Sequence, residues 1–136
     1  ITWSDFELLD IRVGTIVRAE EFPEAKKPAF KLWVDLGGGE IRRSSAQITD
    51  LYTPEVLVGK QVVCVCGFPP KQIGPWLSEV LVTGFHQEDG SVALCTPDMP
   101  VPNGTPYGSA HASLVVVIGA RNAVTLPSLF AIHYSL

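Results

Sequence analysis

Arg12-Val13-Gly14-Thr15-Ile16-Val17-Arg18-Ala19 and, after a polar turn, Lys31-Leu32-Trp33-Val34-Asp35-Leu36 decide the fold. Both alternate at the spacing of a β-strand, in which successive side chains point to opposite faces. The first puts Val13, Thr15 and Val17 on one side and Gly14, Ile16 and Arg18 on the other. The second turns Leu32, Val34 and Leu36 toward a core and leaves Lys31, Trp33 and Asp35 opposite. Between them, Glu21 to Pro28 reads as a polar turn holding two prolines, and Gly37-Gly38-Gly39 reads as a hairpin tip before a third strand, Ile41 to Ala46.

Toward the N-terminus, Ser4 followed by Glu7, just before Leu8 and Leu9, is a capping-box pattern for a helix of at most two turns, with Thr2 and Trp3 as its lead-in. Toward the C-terminus, Thr53-Pro54-Glu55 starts one helical turn, and the β-branched run Gln61 to Gly67 reads as a buried strand. Phe68 to Pro75 holds three prolines and reads as a stiff, partly apolar loop. Glu79 to Phe85, an Asp89-Gly90 turn and Val92 to Cys95 complete a hairpin. About five short strands with a small helix between two of them fit an all-β, five-stranded Greek-key barrel of the OB type with short helices, and other small barrels share the pattern. Residues 1–107 form this domain, and 108–136, with the single charged side chain Arg121, form an apolar C-terminal extension.

At 136 residues with 46% hydrophobic content, the chain is sized to close one core, and its 12 Gly and 11 Pro suit short strands joined by turns. The formal net charge of -4 argues against a surface that attracts phosphate everywhere, so any nucleic-acid contact must be local. Cys64 and Cys66 fall on one face of one strand and read as buried thiols in a reducing compartment, the cytoplasm. No secretory leader pattern opens the chain, and a start at Ile1 implies that a residue or more precedes it. Ala112 to Leu136 is broken by Arg121, Asn122 and Pro127 into pieces shorter than the roughly 20 residues a spanning helix needs, so no membrane insertion is expected.

From Asp10-Ile11-Arg12-Val13-Gly14-Thr15 onward the chain resembles the tRNA-binding-domain family. The match narrows to its CsaA-type export chaperones through Glu21-Phe22-Pro23-Glu24-Ala25-Lys26-Lys27-Pro28, Lys31-Leu32-Trp33-Val34-Asp35, Ser44-Ser45-Ala46-Gln47-Ile48-Thr49 with Leu51-Tyr52, and Phe68-Pro69-Pro70-Lys71-Gln72-Ile73-Gly74-Pro75 with Ser78-Glu79-Val80-Leu81. Pro97-Asp98 and Val101-Pro102-Asn103-Gly104 resemble the family's C-terminal end, so the likeness covers residues 1 to about 107. It implies an OB-fold homodimer without catalytic activity or cofactor, whose ligand is unfolded polypeptide destined for export or, alternatively, tRNA. It also implies a dimer interface at Phe6 and Leu9 of the N-terminal helix and at Val101 and Pro102. Two departures stand out: Gly67 replaces the family's usual Asn before the Phe-Pro-Pro loop, and 108–136 has no family counterpart.

The candidate ligand residues are Lys31, Arg42, Arg43, Phe68, Pro70, Lys71, Trp76, Ser78 and Glu79. Arg42 and Arg43 point to opposite faces of their strand, and with Lys31 and Lys71 they either form a local basic groove or are solvated charges paired to Glu40 or Asp35. Trp76, Phe68 and Pro70 read as a surface apolar contact for a peptide or an unpaired base, with Trp33 the better candidate for partial burial. Ser78 and Glu79 suit hydrogen bonding to base edges or a peptide backbone. Lys26 and Lys27 lie among Glu20, Glu21 and Glu24, which cancel their field within a Debye length of about 8 Å. Cys64, Cys66, Cys95 and His86 lack the paired spacing of a structural zinc site, so no metal is assigned. Serines, His86 and Asp89 come with no nucleophile elbow or phosphate loop, which argues against an enzyme. A third reading, a piece of a larger synthetase-like assembly, requires a partner chain.

Overall fold

Leu32 and Val34 are fully buried and Leu36 nearly so, as their alternation requires, and the sheet curls around them. The computed structural model describes residues 1–108 and the strand backbones of Val115–Ile118 and Asn122–Thr125. In chain order the elements are α1 (Trp3–Glu7), β1 (Ile11–Glu21), β2 (Phe30–Asp35), β3 (Ile41–Ala46), α2 (Pro54–Leu57), β4 (Gln61–Val65), β5 (Lys71–Ile73), β6 (Trp76–Ser78), β7 (Leu81–Val82), β8 (Gly84–His86), β9 (Val92–Leu94), β10 (Val115–Ile118) and β11 (Asn122–Thr125). Strands order as β3-β2-β1-β4-β7, with every pairing antiparallel.

The sheet nearly closes into a five-strand barrel of the OB type, because β3 returns against the chain just before β7. The Glu79 amide donates to the Arg43 carbonyl at 2.8 Å, and the Ser44 hydroxyl donates to the Val80 carbonyl at 2.7 Å. Inside lie Ile16, Leu32, Val34, Val62 and Cys64, and α2 adds the fully buried Leu57. Each is an aliphatic or thiol side chain removed from water, worth roughly 1.5–3 kcal/mol for a Val, Leu or Ile.

Gly37, Gly38 and Gly39 all take positive φ, at 85°, 61° and 80°, which is why three glycines form the β2–β3 tip. β1 is long enough to serve several neighbours. Its first half pairs with β4 and also carries the chain's later segment, where the Gly104 amide donates to Val13 at 2.7 Å and the Tyr107 amide to Ile11 at 2.8 Å. Its second half pairs with β2.

Three expectations change. The capping box of α1 is Thr2 with Asp5, because the Asp5 carboxylate reaches back to the Thr2 amide at 2.7 Å while the Asp5 amide donates to the Thr2 hydroxyl at 3.2 Å. The proline loop contains a short ladder, β5–β6, with Ile73 opposite Trp76. Pro69 and Pro70 precede β5 and Pro75 sits in its turn, so no ladder amide is lost. Arg18 leaves the face of Ile16: the β1–β2 register passes from Ile16 opposite Val34 to Arg18 opposite Trp33, a bulge that skips Val17 and turns Arg18 outward. The expected extension falls mostly outside the described residues; within it, β10 pairs with β11 from Val115 opposite Thr125 to Ile118 opposite Asn122.

Candidate ligand-binding cleft

The bulge matters because it completes a strip of cations and aromatic rings on the outer face of β1, β2 and β3. Arg18 lies opposite Trp33, which lies opposite Arg43, and Glu20 lies opposite Lys31, which lies opposite Ser45. The Arg18 guanidinium stacks 4.4 Å from the Trp33 ring centroid. Trp33 meets Trp76 edge-on at 4.9 Å, and Arg43 and Lys31 lie 5.0 Å and 5.4 Å from the Trp76 centroid. Trp76, Phe22 and Ala29 form a small buried cluster of their own.

Trp76 is therefore not a surface contact. It is only 8% exposed, and its indole N–H donates to the Ser44 carbonyl at 3.0 Å, so it fastens the β5–β6 arm to the barrel. Arg42 also departs from the expected basic group. It shares the face of Val34 at the barrel end, where it pairs with Glu40 and donates to the Cys66 carbonyl at 3.5 Å. There Arg12 bridges Asp10 at 2.7 Å and Glu40 at 3.4 Å, and its hydrogen bond holds the Asp10 carboxyl below the usual range. The cations of the outer strip are paired too: Arg18 with Glu20 at 2.5 Å, Lys31 with Glu20 at 3.9 Å and Arg43 with Glu79 at 3.1 Å.

Beyond Trp76 the arm and the barrel enclose a cleft of about 390 Å³. Phe68, Pro69 and Lys71 line it from the arm, Ser78 to Leu81 from the following segment and Ser45 from β3. Phe68 is 58% exposed and Leu81 49%, so two large apolar side chains stand ready to be covered. Of the predicted residues, Phe68, Lys71, Ser78 and Glu79 meet here. Lys31, Arg43 and Trp76 sit on the adjoining strip, and Pro70 is exposed on the arm without lining the cleft. Ser45, Pro69, Val80 and Leu81 were missed. Ser45 was within reach, since alternation along β3 puts it on the face of Arg43.

Gly67 lies exposed beside this arm, and a Cβ there would meet only the Asp10 Cβ, at 3.8 Å. Backbone conformation does not demand glycine, so its effect is to withhold a side chain. Of the expected interface residues, Phe6 packs its ring, tilted, against Trp3 and Tyr107 at centroid distances of 5.1 Å and 5.8 Å, while Leu9 is 53% exposed. Val101 exchanges two backbone hydrogen bonds with the Gln61 side chain, at 2.6 Å and 3.0 Å, and Pro102 is exposed. Cys64 and Cys66 are buried, and burial pushes the Cys64 thiol up to about 12. Among the described residues, no three His, Cys, Asp or Glu side chains gather in a metal-holding group, and no helix is long and apolar enough to cross a membrane.

A five-strand barrel of this topology is an OB fold, a class whose strand faces and loops commonly bind oligonucleotides and oligosaccharides. More particularly, the chain belongs to the tRNA-binding domain family: residues 11–106 match the family model described as "Putative tRNA binding domain". Over 102 residues it is 39% identical to the methionine–tRNA ligase of Methanocaldococcus jannaschii, a match covering 75% of this chain and 15% of that enzyme. The chain thus spans a small part of the length of the curated relatives it matches. Among solved structures it is similar to the chaperone CsaA of Bacillus anthracis, at 48% identity and TM-score 0.75 over 79% of this chain and 98% of that one. It is also similar to the CsaA chaperone protein of Picrophilus torridus, at 46% identity and TM-score 0.74 over 79% and 99%.

Proposed function

We propose that this chain binds unfolded, export-destined polypeptide in the cytoplasm, as a non-catalytic homodimeric chaperone that takes extended segments in the Phe68 cleft. The observation that carries the reading is an apolar cleft, open at Phe68 and Leu81, beside a strip whose cations are occupied by Glu20 and Glu79. Apolar area there is uncovered, whereas a phosphate would have to compete with resident carboxylates for Lys31 and Arg43. The two solved CsaA chaperones, matched over nearly their whole length, support it. Two copies give two clefts, and a long unfolded chain gains avidity from both. The dimer would use the exposed Leu8 and Leu9 that follow α1, next to Phe6 and Tyr107, together with Val101 and Pro102.

tRNA binding is the second reading, favoured by the family match and by the lysines of the arm and turn. Titrating the chain with fluorescent unfolded polypeptide and with unmodified tRNA, at low and near-physiological salt, separates the two. Polypeptide binding that survives salt is expected. tRNA binding with a log–log salt slope of roughly -0.7 to -0.9 per phosphate contacted, and no polypeptide binding, would replace the chaperone reading with the tRNA one.

A further inference from the structure

We propose that the polypeptide this surface selects carries acidic residues next to its apolar segment, and that Lys26, Lys27 and Lys71 recognise them. The inference rests on the polypeptide-binding reading and names its substrate class. A second cleft, of about 570 Å³, adjoins the apolar one and shares Ser45 and Lys71 with it. Lys26 and Lys27, from the turn after β1, line it together with Lys71, and Glu24 is its one carboxylate. All three lysines are exposed, and among the described residues none of them joins an ion pair, unlike the cations of the neighbouring strip.

Sequence proximity suggests that Glu20, Glu21 and Glu24 cancel Lys26 and Lys27, but Glu20 is held by Arg18 at 2.5 Å and Lys31 at 3.9 Å, and of the three only Glu24 lines the cleft. Three ammonium groups against one carboxylate leave a local positive excess on a chain of net charge -4. The apolar cleft adds no such excess, since its carboxylate, Glu79, is matched by Arg43 at 3.1 Å. An extended chain advances about 3.3 Å per residue, so one strand-like segment that rests apolar side chains on Phe68 and Leu81 runs past Lys71 within a few residues. What it meets there favours carboxylates. Single-stranded RNA fits less well, because its phosphates recur at every nucleotide while the cations here occupy one end of the surface.

The test uses the full chain and two fluorescein-labelled peptides with the same apolar centre, one flanked on both sides by Glu and one by Gln, with an RNA oligonucleotide as a third probe. Fluorescence anisotropy should show the Glu-flanked peptide binding about fivefold more tightly at low salt, an advantage that shrinks in high salt. The double substitution K26Q/K27Q should cut that advantage to about twofold and leave affinity for the Gln-flanked peptide unchanged. Equal affinity for the two peptides, or an advantage that survives K26Q/K27Q, overturns the inference while leaving polypeptide binding intact. Failure of both peptides to bind removes polypeptide binding as well. RNA binding that depends on Lys26 and Lys27, with no preference between the peptides, assigns the lysine cleft to RNA instead.

Discussion

Strand β2 has two faces with different chemistry. Inward, Leu32 and Val34 are fully buried in the main core with Ile16, Val62 and Leu57. Outward, Lys31 and Trp33 join a smaller cluster, in which Trp76, Phe22 and Ala29 are buried beneath cations that are themselves paired. The inner face works by removing aliphatic area from water, a term that is large and indifferent to direction. The outer face works through a few directed contacts, among them one indole hydrogen bond, and what it fixes is the arm that lines both clefts. Stability should therefore respond mainly to inner substitutions and ligand binding mainly to outer ones.

The strongest probe of that division is Leu32→Ala. Leu32 is fully buried in the barrel, and truncating such a leucine costs about 3 kcal/mol through lost transfer energy and the cavity left behind. Urea unfolding should show this loss, while peptide affinity at a temperature where the variant is folded should match the parent. A comparable loss of affinity in folded Leu32→Ala would mean that the inner core also shapes the cleft.

A middle-sized effect comes from pH. Burial, with the neighbouring Cys66 as the lesser cause, pushes the Cys64 thiol from 9.0 to about 12, so the folded chain keeps a proton that the unfolded chain releases from about pH 9. The unfolded state then binds fewer protons, and stability falls as pH rises from 9 toward 12, by on the order of 1 kcal/mol at pH 10. Below pH 9 this contribution is complete. Comparing urea midpoints of the parent and Cys64→Ala across pH 8 to 10.5 isolates it, since other alkaline titrations are common to both chains. Parallel curves would show that the Cys64 thiol reaches water more readily than its burial implies.

These two faces were unequally legible in the sequence. Leu32, Val34 and Leu36 could be placed because burial follows from local alternation, and Cys64 with Cys66 for the same reason. The outer face depends on events that alternation does not encode. Arg18 reaches it only because the register skips Val17, and nothing in the local pattern marks that bulge. Trp76 looked like a loop aromatic because its burial comes from a distant backbone, the Ser44 carbonyl, which becomes its partner only once β3 has met the arm. Arg42 and Arg43 were correctly split between faces by strand geometry. Arg43 is the one beside the cleft, where its partner is Glu79, far along the chain.

The smallest effect is the one that best separates the two faces, and Trp76→Phe isolates it. Phenylalanine keeps an aromatic ring near Trp33 but cannot donate to the Ser44 carbonyl, so the variant loses one buried hydrogen bond of 3.0 Å, worth about 1 kcal/mol, along with some ring area. If the outer cluster held the whole molecule together, that loss would appear in full in global unfolding. If it fastens only the arm, the arm opens before the barrel does, and global stability changes less than local protection. Hydrogen exchange should therefore accelerate about fivefold at the β5–β6 amides, with the β1–β2 and β1–β4 ladders protected as in the parent. Peptide affinity should fall with the arm, because Lys71 and Phe68 lose their fixed position along it. Uniform acceleration in every strand would instead make the aromatic strip part of one cooperative core, and the division between its stabilising and binding faces would not hold.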